Sequence, residues 1–429
     1  MSNALAALTT RGRGFAAAGL TACLCSVVLG QKDLLRVGIL LAALPLVTAL
    51  VVARSRYRLV CTRDLQPHRV PVGESATVTL RLRNAGRMPT GVLLLEDRVP
   101  YVVGSRPRFV IDHMGSRWHQ DVAYPVRSDV RGRYLLGPLT VRVSDPFGFV
   151  ELTRSFADRS PMVVTPQVHA LGGSRLSGEW SGTGDNRPRA FAAAGTEDVT
   201  VREYRQGDEL RRVHWPSTAR SGELMVRREE QPWQSRATLV LDTRSLAHRG
   251  TGPASSLEWA VTAAASVGAH LSRQAFSVRL VTDGDRPGAT AAWHDRGMSA
   301  LGETEALLEA LAVVRPTEGS TLDLPSLSDQ SGPGLLVAIV GALEPADLRS
   351  LGRLRHGGGT SLAVLLDVPN WAVSKDSARP QRNVRTQAAV AALGRQGWQV
   401  AVATGPDTPI AALWDELAAR VTRPIERAS

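Results

Sequence analysis

The spacing of apolar residues changes along the chain, and each change marks an expected boundary. Two uninterrupted apolar runs come first, at 15–29 and 37–53. Arg11 and Arg13 precede the pair, Gln31, Lys32, Asp33 and Arg36 lie inside it, and Arg54, Arg56, Arg58 and Arg63 follow it. A membrane-spanning helix needs about 20 apolar residues. The first run reaches that length with Gly14 and Gly30, the second with Leu34, Leu35 and a snorkelling Arg36. Pro45 is tolerated in such a helix. The pair therefore reads as a transmembrane hairpin over 14–58, preceded by a short segment, 1–13. Basic residues on the outer flanks put both ends, and with them the soluble mass, on the cytoplasmic side of a multi-pass membrane protein. A cleaved signal peptide is the rival reading, but the second run arrives too soon for a cleavage site and a polar mature start. The tetrapeptide LTAC at 20–23 resembles a lipobox, with too short an apolar stretch before it.

Beyond the hairpin the period becomes two. In 70–84 Val78, Leu80 and Leu82 alternate with Thr77, Thr79, Arg81 and Arg83, a strand with one buried face that starts after Gly73 and Glu74. Further strands are expected at 91–99, 108–113, 117–128, 133–145 and 162–166, which makes 62–165 an all-β module of immunoglobulin-like sandwich type. A linker plus a charged segment occupies 166–235, with Gly, Ser, Arg and Pro concentrated at 171–191. From 236 to 429 continuous apolar strands (237–243, 276–284, 335–343, 361–369, 398–404) alternate with helical stretches (256–274, 299–314, 344–357, 384–396, 409–421). Strands that are apolar throughout belong to a parallel sheet covered on both faces, here a doubly wound α/β domain. The chain is thus multi-domain. No Gly-x-Gly-x-x-Gly follows the first strand, and no P-loop pattern occurs, so dinucleotide and nucleotide cofactors are not expected.

Composition changes this picture little. The net charge of +11 comes from 51 basic and 40 acidic residues, with Lys32 and Lys375 the only lysines. The arginines are spread along the chain and mixed with carboxylates, unlike the single basic stripe of a nucleic-acid binder; juxtamembrane arginines facing anionic lipid explain part of the excess. The cysteines, Cys23, Cys25 and Cys61, all precede the soluble chemistry. This excludes a disulfide framework, a cysteine nucleophile and a thiolate zinc site beyond residue 61.

One segment is dense in chemistry. It carries Arg202, Glu203, Tyr204, Gly207, Asp208, Arg211, His214, Trp215, Thr218, Ala219 and Arg220 in the order TED, REY, GD, RRVHW, TAR, RRE. This string resembles the signature of domain-of-unknown-function family 58 (DUF 58). The upstream run at 131–149, Arg-Gly followed later by Asp-Pro-Phe-Gly, is similar to another pattern of that family. The resemblance implies a two-helix anchor, a β module and a C-terminal part like a von Willebrand factor A domain. It further implies MoxR-type AAA+ ATPases and membrane-bound transglutaminase-like proteins as partners, and no particular reaction.

Von Willebrand A domains that bind Mg²⁺ offer oxygen ligands at the end of their first strand, with a Thr and an Asp from later loops. Here that strand ends Asp242-Thr243-Arg244-Ser245-Leu246, so Arg and Leu stand in both serine slots. Thr321 falls where the loop threonine would, while Asp283 follows the second strand rather than the fourth. A degenerate site without metal is expected, with Arg244 repelling a divalent ion. For the signature segment, three readings are open: a salt-bridged seam between the domains, a solvated charged face, or a partner surface built on Trp, Tyr and Arg. An enzymatic alternative, a hydrolase using His214 with Asp208 or Glu203 and Ser217 as nucleophile, lacks the Gly-x-Ser-x-Gly elbow. A membrane-anchored scaffold, not an enzyme, is the expectation.

Overall fold

The computed structural model describes residues 8–54, 59–85, 92–112, 115, 117–145, 147–172, 201–204, 213–227, 235–282, 300–322, 324, 334–354, 359–372 and 383–422. Two antiparallel helices open the chain, α1 (Thr10–Leu29) and α2 (Lys32–Arg54), and both are long and apolar enough to cross a membrane. Their contact is made by small residues. A Cβ on Gly19 would lie 2.5 Å from the Ala42 nitrogen, and one on Gly38 would lie 2.8 Å from the Cys23 nitrogen. Only glycine lets the backbones approach this closely, which is how apolar helices associate where no hydrophobic force acts between them.

Ten strands follow: β1 (Leu59–Gln66), β2 (Arg69–Pro71), β3 (Ser75–Asn84), β4 (Val92–Asp97), β5 (Arg108–Ile111), β6 (His119–Arg127), β7 (Gly132–Leu136), β8 (Leu139–Ser144), β9 (Glu151–Phe156) and β10 (Ser160–Thr165). The sheet β1-β3-β6 and the sheet β5-β4-β8-β9 share one core in an immunoglobulin-like sandwich, to which Val70, Leu136, Met162 and Val164 of a third sheet, β2-β10-β7, also contribute. The alternation expected in β3 is realised: Val78, Leu80 and Leu82 are buried, and the residues between them are not. Each such side chain contributes about 1.5–3 kcal/mol relative to exposure.

The stretch 133–145, expected as one strand, is split. Gly137, at φ +105°, and Pro138, which has no N–H to give a ladder, turn the chain from β7 in one sheet to β8 in another. The edge strand β9 is an addition; its residues are largely exposed, so it leaves no apolar alternation to read.

A polar clasp joins the two sheets. Arg63 of β1 grips Asp97 of β4 through Nη2–Oδ1 at 2.6 Å and Nε–Oδ2 at 3.2 Å. Tyr124 of β6 donates to Asp97 Oδ2 at 2.6 Å, and Arg63 Nη1 donates to the carbonyls of Leu136 and Asp158. The Arg63 and Asp97 side chains are 3% and 0% exposed. Burial, reinforced by the Asp97 bond, holds the Tyr124 hydroxyl protonated far above its ordinary range.

Farther along lie β11 (Val201–Glu203), the short helix α3 (Trp215–Ser221) and β12 (Met225–Arg227). The parallel sheet then runs β13 (Ser235–Leu241), α4 (Ser256–Arg273), β14 (Phe276–Thr282), α5 (Ala300–Val313), β15 (Leu335–Val340), α6 (Pro345–Leu354), β16 (Ser361–Leu366), α7 (Val384–Arg395), β17 (Gln399–Ala403) and α8 (Ile410–Thr422). Its order is β14-β13-β15-β16-β17, and every pairing is parallel. Alternate residues feed two cores, as strand geometry requires. Leu239, Val337, Ile339, Val364 and Ala401 pack with α4, α5 and α8; Val240, Ala338, Val340, Leu365 and Val400 pack with residues of α6 and α7. This is the doubly covered sheet that the continuous apolar runs predict.

The sandwich meets the sheet through Arg131, which is buried. Its Nε donates to Leu311 O at 3.0 Å and its Nη2 to Val314 O at 2.7 Å, capping the C-terminus of α5, and its Nη1 pairs with Glu258 of α4. Arg69 pairs with Glu305 and Glu309, one turn apart on α5. After β10, the His169 N–H donates to Ser266 Oγ at 3.0 Å and Leu171 enters the core under α4.

Breaking the clasp should unpin the sandwich. Asp97→Asn strands a buried guanidinium, and the opening free energy of β3 and β8 amides, read by hydrogen exchange, is expected to fall by about 3–5 kcal/mol. Arg81→Ala, which removes an exposed pair with Asp64, should leave those amides unchanged.

Candidate functional site

The order of strands reverses between β13 and β15. In open α/β sheets the crevice beyond the carboxyl ends at such a reversal is where ligands bind. Asp242 follows β13 directly and Gly341 follows β15. The crevice is filled from within. Arg244 Nε and Nη2 donate to the two Asp242 oxygens at 2.9 and 2.8 Å, and Nη1 donates to Asp347 Oδ2 at 2.9 Å. The three side chains are 3%, 0% and 0% exposed.

All four carboxylate oxygens are engaged. Asp242 also accepts from the N–H groups of Arg244 and Gly341, and Asp347 from those of Leu322 and Glu344. The Glu344 bond makes Asp347 the inner half of a capping box at the start of α6. Burial pulls the Arg244 pKa down, but the two carboxylates outweigh it and hold the guanidinium charged above its usual range. A divalent ion at this place would have to displace that cation.

His248 closes the cluster from behind. Nε2 lies 2.8 Å from the Asp242 carbonyl and Nδ1 3.0 Å from Ser256 Oγ. A carbonyl can only accept, so Nε2 carries the hydrogen and Nδ1 receives the Ser256 hydroxyl. Burial pushes the imidazole below its ordinary 6.5, more than the nearby Asp242 raises it. The cluster is therefore one cation between two acids, with a neutral histidine behind it.

Asp242 sits at the expected strand end, but Arg244 binds it instead of merely repelling a metal. Thr321 is exposed; its loop reaches the cluster through its neighbours, the Ser320 carbonyl and the Leu322 N–H. Asp283 lies outside the described residues. The sequence reading missed Asp347, His248 and Ser256. The pattern Glu-Pro-x-Asp at 344–347 was the available signal for Asp347, since Pro at the first helical position followed by an acid marks a helix start.

In the signature segment, β11 and β12 pair antiparallel, with Arg202 opposite Val226 and Glu203 opposite Met225, and Tyr204 N–H donates to Leu224 O. Val213 bridges Val226 on the other edge of β12, so Glu203 and His214 stand on opposite sides of that strand. His214 caps α3, its Nδ1 receiving the Ser217 N–H at 3.3 Å and contacting Ser217 Oγ at 2.8 Å. Thr218 Oγ1 donates to the His214 carbonyl and receives the Met225 N–H, tying helix to strand. Arg220 is exposed in the last turn of α3. Trp215 is 67% exposed, and Tyr204 is half-buried. Asp208 and Arg211 lie outside the described residues. The described contacts between sandwich and sheet come from Arg69, Arg131 and the 169–172 segment rather than from this one.

Removing the internal cation leaves two acids in an apolar setting. Arg244→Met should lower the opening free energy of β13 amides by about 3–5 kcal/mol, measured by hydrogen exchange. Adding Asp242→Asn should recover part of that loss, because the partners act as one unit.

No curated protein matches the chain. Solved structures similar to part of it include the CARDB domain of a Pyrococcus furiosus protein in complex with di-metal ions, at 14% identity and a TM-score of 0.21, covering 26% of this chain and 96% of that one. Another is the human seminal-plasma complex of zinc 2-glycoprotein and prolactin inducible protein, at 8% identity and a TM-score of 0.20, covering 26% and 98%. Residues 200–319, from β11 through the α5 region, match the family model described as "Protein of unknown function DUF58", the family that the signature residues resemble.

Proposed function

We propose that this chain is a membrane-anchored scaffold or adaptor, held by α1 and α2 with its soluble parts cytoplasmic, whose sheet is a degenerate von Willebrand A-like domain. One observation carries the reading. In the signature segment His214 and Thr218 are engaged in local hydrogen bonds, whereas Trp215 has two thirds of its surface in water. Tryptophan, tyrosine and arginine are the residue types enriched at interaction hot spots, and of this segment's Trp215, Tyr204 and Arg220 the first and last are exposed. The sheet tip is consistent with this view, since among the described residues Asp242 and Asp347 are bound to Arg244 rather than facing solvent.

By resemblance to the family's associations, the partner is a MoxR-type AAA+ ATPase, in complex assembly or chaperone-like work, with a transglutaminase-like membrane protein as a further candidate. The hydrolase alternative draws on the 2.8 Å contact between His214 Nδ1 and Ser217 Oγ. That same nitrogen receives the Ser217 N–H, the geometry of a helix cap.

Affinity capture of the full chain from solubilised membranes, with and without nucleotide, separates the two. The adaptor reading expects recovery of an AAA+ ATPase that depends on nucleotide and weakens at least about tenfold in Trp215→Ala. Turnover of an ester or peptide panel that vanishes in His214→Ala would favour the hydrolase instead.

A further inference from the structure

The other half of the 131–149 run makes a contact that the scaffold reading does not use. The turn between β8 and β9 is pinned by Asp145, whose carboxylate receives the Phe147 N–H at 3.1 Å and the Val150 N–H at 2.7 Å. The turn is docked on the base of the helix pair. The Thr9 N–H and hydroxyl donate to the carbonyls of Phe149 and Gly148, while the same hydroxyl receives the Gly12 N–H as the N-cap of α1. Leu8 bridges Val150, and Leu8, Phe149 and Val150 form a small core with Ala49 and Leu44 of α2.

Three aromatic rings run outward from that core. Phe15 and Phe149 have centroids 4.9 Å apart, and Phe149 and Phe147 are stacked at 5.8 Å. Phe15 is the first residue of the first apolar run, so on α1 this row lies where the helix turns from charged to apolar. Phe147, 57% exposed, and Phe15, 40% exposed, continue the helices' own apolar surface, with the exposed Arg11 and Arg13 just outside. An aromatic row bordered by arginines at that level suits the boundary between acyl chains and phosphate headgroups.

We infer that the turn carrying Phe147, Gly148 and Phe149 is a membrane-interface clamp that seats Phe147 in the lipid and fixes the tilt of the sandwich on the bilayer. This rests on the reading that α1 and α2 span a membrane, and the occupant of the exposed face is the bilayer itself. The Asp145 carboxylate and the Thr9 cap make the link between this turn and α1 a hydrogen-bonded joint.

Spin labelling of the full chain in vesicles containing anionic lipid tests the clamp. Single cysteines are placed at Phe147→Cys, Leu40→Cys and Tyr101→Cys in a Cys23→Ala, Cys25→Ala, Cys61→Ala background. Leu40 lies in the apolar part of α2, and Tyr101, 92% exposed, is in a turn at the other end of the sandwich. The ratio of collisions with oxygen to collisions with a water-soluble nickel chelate is expected to be several-fold higher at 147 than at 101, and highest at 40. A ratio at 147 equal to that at 101, with 40 still in lipid, overturns the clamp and leaves the anchor standing. An aqueous ratio at 40 overturns both.

Discussion

A single guanidinium held between two fully buried carboxylates decides what the parallel sheet can do. Asp242 and Asp347 come from two different connections at the carboxyl end of the sheet, one directly after β13 and one in the first turn of α6 after β15. Two ionised acids buried together are costly unless a cation lies between them. An open site would take that cation from solution as a metal; this chain supplies it covalently as Arg244. The cost of burying three charges is met by directional bonds on every carboxylate oxygen. At the switch point of the sheet, where ligands of such folds often sit, Asp242 and Asp347 are thus bound within the chain.

The sandwich is held at both ends by one stretch of sequence. Arg131 reaches into the sheet and caps α5, and Asp145 pins the turn that docks on α1. Between these two points run β7 and β8, one strand in each of two sheets, joined at the Gly137–Pro138 corner. The Arg63–Asp97–Tyr124 clasp fixes those sheets to each other.

How much of this was legible depends on the range of the interactions. Periodicity gave β3 and the parallel strands directly, because burial on one face or two is written residue by residue in the sequence of apolar and polar positions. The edge strand β9 was invisible since both its faces meet water, and the corner at Gly137 was read through because the residues on either side of it still look like strand. At the candidate site, Asp242 and Arg244 were legible as neighbours two residues apart. Their third partner, Asp347, is more than a hundred residues away, and no local pattern ties it to them. The seam had the same difficulty: a lone arginine such as Arg131 or Arg69 shows nothing of the helix it will cap. Trp215 was picked out by its signature, but its exposure to water shows only in the fold.

The most direct test of the closed sheet tip is a calorimetric titration of the solubilised chain with Mg²⁺. With Arg244 already seated between Asp242 and Asp347, no saturable uptake is expected at this place. Tight, stoichiometric Mg²⁺ binding that disappears in Asp242→Ala would contradict the account.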